Sequence, residues 1–261
     1  MKIQNIILIL KKLKNKGAVA IKQSFEDEGA SFEEIKLMKK IVKKVGLKHN
    51  IKIGGCEAKN DINFCSNLKV DGIVAPMVES RYALDKFFQS IPQNNLSKLY
   101  VNIETISALK NLRKIFTSKY IDRLYGIILG RSDIVGSLGL KKKDVNSKKI
   151  TKLLLKSIKF VKKKNKKLVI KVGGSVTLNS KTVFEYLFKK NLIDSTETRN
   201  IEIQVNKKSL DNFKELIIWA FEFEVAWIKY KLKNKFFDLK SSERKFFNRR
   251  IIEINKRIKL I

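Results

Sequence analysis

The sequence predicts an α/β fold, a (β/α)8 TIM barrel with additional C-terminal helices, on three observations. Between residues 18 and 205 short β-branched runs alternate with Lys-rich amphipathic segments, the pattern of parallel strands joined by crossover helices. Most of these runs end on small or acidic residues, where a barrel would open onto an active site. The length, 261 residues, suits one closed barrel, and beyond residue 207 only the helical pattern persists.

The first element, Ile3–Lys16, reads as an amphipathic helix rather than a targeting segment. Lys2 precedes an apolar stretch and Ala18-Val19-Ala20 imitates a cleavage site, but Lys11, Lys12, Lys14 and Lys16 fill the interval. Strands are expected at residues 18–25, 51–55, 72–77, 99–104, 126–130, 168–172 and 201–205. An eighth, at 192–196, is poorer in strand formers and precedes Glu197-Thr198-Arg199. The intervening helices carry apolar residues at spacings of three and four, as in Phe32, Ile35, Leu37, Met38, Ile41 and Val42, and would form the outer ring.

Residues 1–207 therefore read as a barrel catalytic domain and 208–261 as a C-terminal helical extension. In the extension, residues 210–233 form one long helical pattern with a broad apolar surface (Phe213, Ile217, Trp219, Phe221, Val225, Trp227, Ile228), and Ser241–Lys259 a second, heavily charged one. The apolar surface predicts packing on the barrel or on a partner subunit, hence a homo-oligomer joined through these helices.

Composition narrows the chemistry. Lys and Arg number 57 against 25 Asp and Glu, a net charge of +32 on a chain that is 44% hydrophobic, which is a globular composition. Of the 57, 48 are Lys and 9 Arg, spread along the whole chain among abundant Asn and Ile. This reads as drift toward AT-rich codons and a solvated lysine coat, so nucleic acid would bind only non-specifically and salt-sensitively. Cys56 and Cys65, nine positions apart, make neither a zinc knuckle nor a disulfide framework and suit a reducing, cytoplasmic setting. The longest apolar runs, 6–10 and 216–221, fall far short of the ~20 residues of a membrane span. His49 is the single histidine, which excludes an H-E-x-x-H zinc site; placed just before the second strand, it reads as a loop residue at the mouth opposite the strand ends.

The strand ends carry the candidate chemistry. Ile51-Lys52-Ile53-Gly54-Gly55 and Ile170-Lys171-Val172-Gly173-Gly174 echo one another four strands apart, and their glycine pairs either open backbone N–H groups to an anion or simply turn tightly. Glu104 and Asp133 end adjacent strands, so their carboxylates can share a hard cation, Mg²⁺ or Mn²⁺, with positions left for substrate and water. Either acid alone would equally serve as a helix cap or surface charge.

Three motifs occur in a fixed order: Val74-Ala75-Pro76-Met77-Val78-Glu79-Ser80, Asn102-Ile103-Glu104-Thr105, and Gly130-Arg131-Ser132-Asp133 running on to Gly139. The ordered set resembles the HpcH/HpaI aldolase and citrate lyase β-subunit family, over roughly residues 18–205, with Phe25-Glu26-Asp27 resembling the acidic end of that family's first active-site strand. The resemblance implies a barrel of the phosphoenolpyruvate/pyruvate type that makes or breaks a carbon–carbon bond next to a 2-keto acid or acyl-CoA carbonyl. It makes Glu104 and Asp133 the metal ligands and the backbone from Gly130 through Arg131 and Ser132 to Asp133 the seat of the substrate carboxylate. Lys52 stands where the family usually has an arginine that polarises the carbonyl; it keeps the charge and loses the bidentate fork.

Two departures bear on mechanism. The aldolase branch has a histidine where this chain reads Glu28-Gly29, which leaves Glu26, Asp27, Glu28, Glu57 or a metal-bound water as general base; Lys52, Glu26 and Asp27 are the catalytic candidates. Arg131 replaces a common proline and offers either a contact to a distal substrate carboxylate or phosphate, or a solvent-facing charge. The leading expectation is a metal-dependent lyase or aldolase taking pyruvate or oxaloacetate, with an aldehyde as second reactant. The alternatives are a Schiff-base enzyme using Lys22, Lys52 or Lys171, a non-catalytic or RNA-associated barrel subunit, and an acyl-CoA lyase of the citrate lyase type.

Overall fold

The computed structural model describes residues 2–234 and 239–261; the extension expected over 208–261 thus includes four residues, 235–238, outside the described ones. Helix α1 (Ile3–Lys16) buries Ile6, Leu10 and Leu13 at helical spacing and stops at Gly17, whose φ of 125° few other residues adopt. Strands β1 (Ala18–Ser24), β2 (Lys48–Lys52), β3 (Gly72–Ala75), β4 (Lys98–Ile103), β5 (Gly126–Gly130), β6 (Val169–Gly173), β7 (Ser195–Glu197) and β8 (Ile201–Gln204) close into a barrel in sequence order.

Around them run α2 (Phe32–Val45), α3 (Lys59–Asn67), α4 (Arg81–Gln89), α5 (Ile106–Ile115), α6 (Arg131–Ser137), α7 (Lys148–Lys164) and α8 (Lys181–Lys189). Several start where a hydroxyl accepts a backbone N–H of the first turn, at Ser31, Ser80, Thr105 and Ser147, each directly after a strand-end loop or short connection. The (β/α)8-type barrel with extra C-terminal helices is therefore present, with boundaries displaced: β2 starts three residues earlier than expected, and β7 moves from 192–196 to Ser195–Glu197.

One strand runs against the expectation. β8 pairs antiparallel with both β7 and β1, because only residues 198–200 separate it from β7. A parallel return needs a crossover of a dozen residues or more, so three residues can only make a hairpin. The chain consequently leaves β8 at the end of the barrel where β1 begins, with the Gln204 N–H donating to the Gly17 carbonyl. α9 (Lys207–Asp211) turns there, and α10 (Phe213–Lys233), about 30 Å long, climbs back along α1 to the opposite end. α11 (Ser241–Lys259) then packs on α10 beside the strand C-termini. The helical pattern expected over 210–233 is broken at Asn212, between α9 and α10.

Inside the barrel, Val74, Tyr100 and Ile128 form a small apolar layer. Above it Lys171 lies 3.8 Å from the Tyr100 ring centroid and 2.7 Å from Glu202, which also accepts from Asn50 and Ser195. The larger core lies between strands and helices. No helix among the described residues is long and apolar enough to cross a membrane.

His49 is not a loop residue. It lies within β2, fully buried, its Nε2 2.9 Å from Gln23 Oε1 and its Nδ1 without a partner. The strand begins earlier than the β-branched run suggested because Lys48 and His49 pair in register with Ala20 and Ile21. Gln23 donates in turn to Glu34, which also accepts from Trp227 and pairs with Lys231 at 2.8 Å, tying β1 and β2 to α2 and α10. Burial, helped by the nearby Lys39 charge and opposed by Asp71, pushes the His49 imidazole down to about 3. The unfolded chain binds this proton near pH 6.5 and the folded chain does not, so the imidazole withdraws stability as pH falls from about 6.5 toward about 3. Urea unfolding of wild type and His49→Gln at pH 7 and pH 4 should therefore show wild type losing more stability on acidification than the variant. Equal losses would contradict the assignment.

Candidate active site

The C-terminal ends of the parallel strands open into a cavity of about 330 Å³ whose lining includes Lys52, Glu104, Gly130, Ser132 and Asp133. Glu104 follows β4 and is 2% exposed. Its Oε1 accepts the Met77 backbone N–H at 3.0 Å and its Oε2 accepts the Asn102 side-chain amide at 2.8 Å. Burial raises its carboxyl above the ordinary range and Asp133 adds to the rise, against Lys52 and the two hydrogen bonds. The motif after β3 is thus a clamp on the motif after β4: Val78 N–H donates to the Asn102 carbonyl, and the Thr105 hydroxyl donates to Glu79.

Asp133 enters from the first turn of α6. Gly130 sits between the two acids: a methyl group there would meet Glu104 Oε2 at 2.8 Å and Asp133 Oδ2 at 3.7 Å. The missing Cβ lets the Glu104 side chain lie against the backbone at Gly130, and both acids line the cavity together with Asn102, whose buried Oδ1 has no partner. Among the described residues no cluster of three or more His, Cys, Asp or Glu forms a metal site. Two hard oxygen donors lining one cavity fit a cation of the Mg²⁺ class, which keeps several positions for water and substrate.

Lys52 reaches into the same space from the end of β2, its Nζ 2.8 Å from Asp27 Oδ2 and 3.8 Å from Glu104 Oε1. Burial raises the Asp27 carboxyl, but the Lys52 hydrogen bond and charge, with Lys22 and Arg199, outweigh it and hold the group below its ordinary value. Lys22 pairs with Glu197 at 2.5 Å; burial lowers its ammonium and Glu197 more than compensates, so the protonated form is favoured. Lys171 lies below the cavity, sealed by Glu202 and Tyr100, and is not among its lining residues.

The remaining candidates separate clearly. Glu28 lines the cavity, and both its oxygens accept from Asn200 at 3.0 Å. Burial pushes its carboxyl up to about 8, with Glu34 and Glu224 adding to the rise and Arg199 and Lys22 opposing it. Glu26 is exposed and lies over Gly54, outside the cavity lining. Glu57 is also outside, paired with Lys86 at 2.8 Å. Of the echoed glycine pairs, Gly173-Gly174 line the cavity and Gly54-Gly55 do not.

Arg131 takes neither expected position. It is fully buried and does not line the cavity; it donates to the Gly173 and Gly174 carbonyls, to Ser180 Oγ and to Asn146 Oδ1. Its guanidinium also lies over the Phe184 ring, and burial lowers it to about 10. It thereby pins the glycine loop after β6 onto the start of α6. A methyl group on Gly174 would come within 2.4 Å of the Ser132 nitrogen.

Sequence reading did not single out Asn102, Asn200, Arg199 or Glu197 as site residues. Asn102 stood in a quoted motif two positions before Glu104, and the other three lie on the β7–β8 hairpin, whose tip leans on the loop after β1 through Asn200–Glu28 and an Arg199 hydrogen bond to the Asp27 carbonyl. Because a lysine cannot reproduce Arg131's fork, Arg131→Lys should lose about 2 kcal/mol in urea unfolding; a variant as stable as wild type would refute the pinning role.

The family model for the HpcH/HpaI aldolase/citrate lyase matches residues 36–194. No curated protein matches the sequence. Among solved structures, an HpcH/HpaI aldolase from Desulfitobacterium hafniense DCB-2 superposes with a TM-score of 0.60 at 10% identity, over 84% of this chain and 88% of that one. The citrate synthase SbnG gives 0.59 at 11% identity over 74% and 81%. An HpcH/HpaI aldolase/citrate lyase family protein from Burkholderia cenocepacia J2315 gives 0.57 at 9% over 83% and 90%. These likenesses show a shared fold, and with a family match spanning more than half of its length, from α2 through β6 and α8, the chain belongs to the HpcH/HpaI aldolase/citrate lyase family.

Proposed function

We propose that the protein is a divalent-metal-dependent carbon–carbon lyase or aldolase acting on a 2-keto acid such as pyruvate or oxaloacetate. The observation that carries this reading is the convergence of Glu104 and Asp133 on one cavity at Gly130, with Lys52 alongside. Glu104 and Asp133 would hold Mg²⁺ or Mn²⁺, which when bound stabilises the negative charge of an enolate. The backbone from Gly130 through Ser132, opened by the missing Cβ of Gly174, would seat the keto acid's carboxylate. Lys52, steered by Asp27, adds a positive charge next to the keto oxygen. In this reading the protein works in the cytoplasm, as a homo-oligomer assembled through its C-terminal helices, on a small-molecule keto acid and an aldehyde.

Glu28 takes the role of general base. It lines the cavity, and an environment that favours its neutral form at pH 7 gives a carboxylate of unusual basicity once ionised. A Schiff-base route through Lys22 runs against that residue's tight pairing with Glu197, since the nucleophile must be the free amine.

Exchange of pyruvate methyl protons for deuterium, followed by NMR, tests the enolate chemistry without a guess at the aldehyde. Exchange should need Mg²⁺ or Mn²⁺ and fall at least about a hundredfold in Glu104→Gln; exchange that persists in that variant, or that no metal elicits in wild type, would overturn the reading. The same assay reports the base. The rate should rise with pH to a plateau above about 8, where Glu28 is ionised, and Glu28→Gln should lose both the rate and this limb of the profile. An unchanged profile would assign the base elsewhere.

A further inference from the structure

The outer part of the cavity carries charge that the keto-acid chemistry does not use. α11 borders the mouth with Arg250 and Arg257, seven residues and two helical turns apart, so both share the face that buries Phe247 and Ile254. Arg199 joins them from the β7–β8 hairpin, and Lys142 from the segment that follows α6. Glu224 of α10 closes the fork of Arg250, accepting from its Nε at 2.7 Å and its Nη2 at 3.2 Å, and lies 3.9 Å from Arg199, while the exposed Glu253 lies 3.5 Å from Arg250 Nη1. Neither Lys142 nor Arg257 forms an ion pair among the described residues. Burial and the charges of Arg257, Arg250 and Arg199 lower the Lys142 ammonium, against Glu253, as expected of cations gathered at one end of the cavity.

The choice of residue adds an independent argument. Lysine is everywhere in this chain and its presence at any point says little, whereas arginine is scarce, 9 of 57 cationic residues. Three of the nine, Arg199, Arg250 and Arg257, line this single cavity. Arginine's planar fork suits bidentate contact with carboxylate or phosphate, which a lysine coat does not provide.

We propose that Arg257 and Lys142, backed by the charges of Arg250 and Arg199, form a subsite for a second anionic group, so that the substrate carries a phosphate or carboxylate at the end remote from its keto acid. The keto-acid part of that statement rests on the function proposed above; the anion subsite does not. The substrate would span the cavity from Glu104 and Asp133 to α11, and α11 would select against uncharged aldehydes.

Calorimetric titration of the full chain with inorganic phosphate, and separately with malonate, at physiological salt tests the subsite. Wild type should bind one equivalent of at least one of them, the tighter naming the group, and Arg257→Gln and Lys142→Gln should each weaken it about tenfold. Lys163→Gln, in the lysine run at the end of α7, should leave it unchanged. Oxalate with Mg²⁺, which mimics a pyruvate enolate, should bind all four proteins alike. Failure of both anions to bind, or equal weakening in Lys163→Gln, would reduce the effect to the general coat and overturn the subsite. If oxalate binds no protein while phosphate or malonate binding still depends on Arg257, the keto-acid reading fails and the subsite stands.

Discussion

The architecture depends on how the barrel closes. A last strand running antiparallel to its neighbours satisfies the edge hydrogen bonds of β1 and β7 as well as a parallel one would, but it reverses the direction in which the chain leaves the sheet. In an all-parallel barrel the final helix would descend from the strand C-termini and end at the far side. Here β8 descends, α10 ascends, and α11 is delivered to the end where the strands open. The hairpin tip made by the same reversal places Arg199 and Asn200 against Asp27 and Glu28. One short connection thus determines both the roof of the cavity and part of its wall.

Within the cavity the charges are ordered by partnership. Deep in the barrel Lys171 is neutralised by Glu202, and nearer the mouth Lys22 by Glu197 and Lys52 by Asp27. Two of these pairs reach across an intervening strand, β6 to β8 and β1 to β7, and the third joins β2 to the loop after β1. Asp133, and Lys142 and Arg257 at the rim, line the cavity without an ion pair among the described residues.

Arg131 illustrates how a wall is made stiff enough to present backbone groups. Its guanidinium is spent on two glycine carbonyls, a serine and an asparagine, all within the protein. Glycine-rich loops are flexible by nature; tethering the carbonyls of Gly173 and Gly174 from behind restricts that freedom while the front of the loop stays open. The chain's departure from the family's usual proline at this position therefore acts on loop rigidity and not on ligand contact.

By itself the sequence determined the layered alternation, the placement of Glu104 and Lys52 at strand ends, and the family motifs, because period, turn residues and short polar signatures are local properties; Asp133, expected at the end of the fifth strand, lies in the first turn of α6. It also contained the antiparallel closure, since three residues between β7 and β8 leave no room for a crossover, although the β-branched runs drew the eye to parallel repeats. Tertiary structure decided the rest. His49 became a buried strand residue because its register with β1 extended β2. Glu28, Glu26 and Glu57 were equivalent as letters and became distinct through burial against Asn200, exposure over Gly54, and pairing with Lys86. The arginines of α11 acquired a role only when α10 carried them some 50 residues along the chain back to the hairpin they face. Contacts between residues far apart in sequence set these outcomes, and a local pattern holds no record of the distance between them.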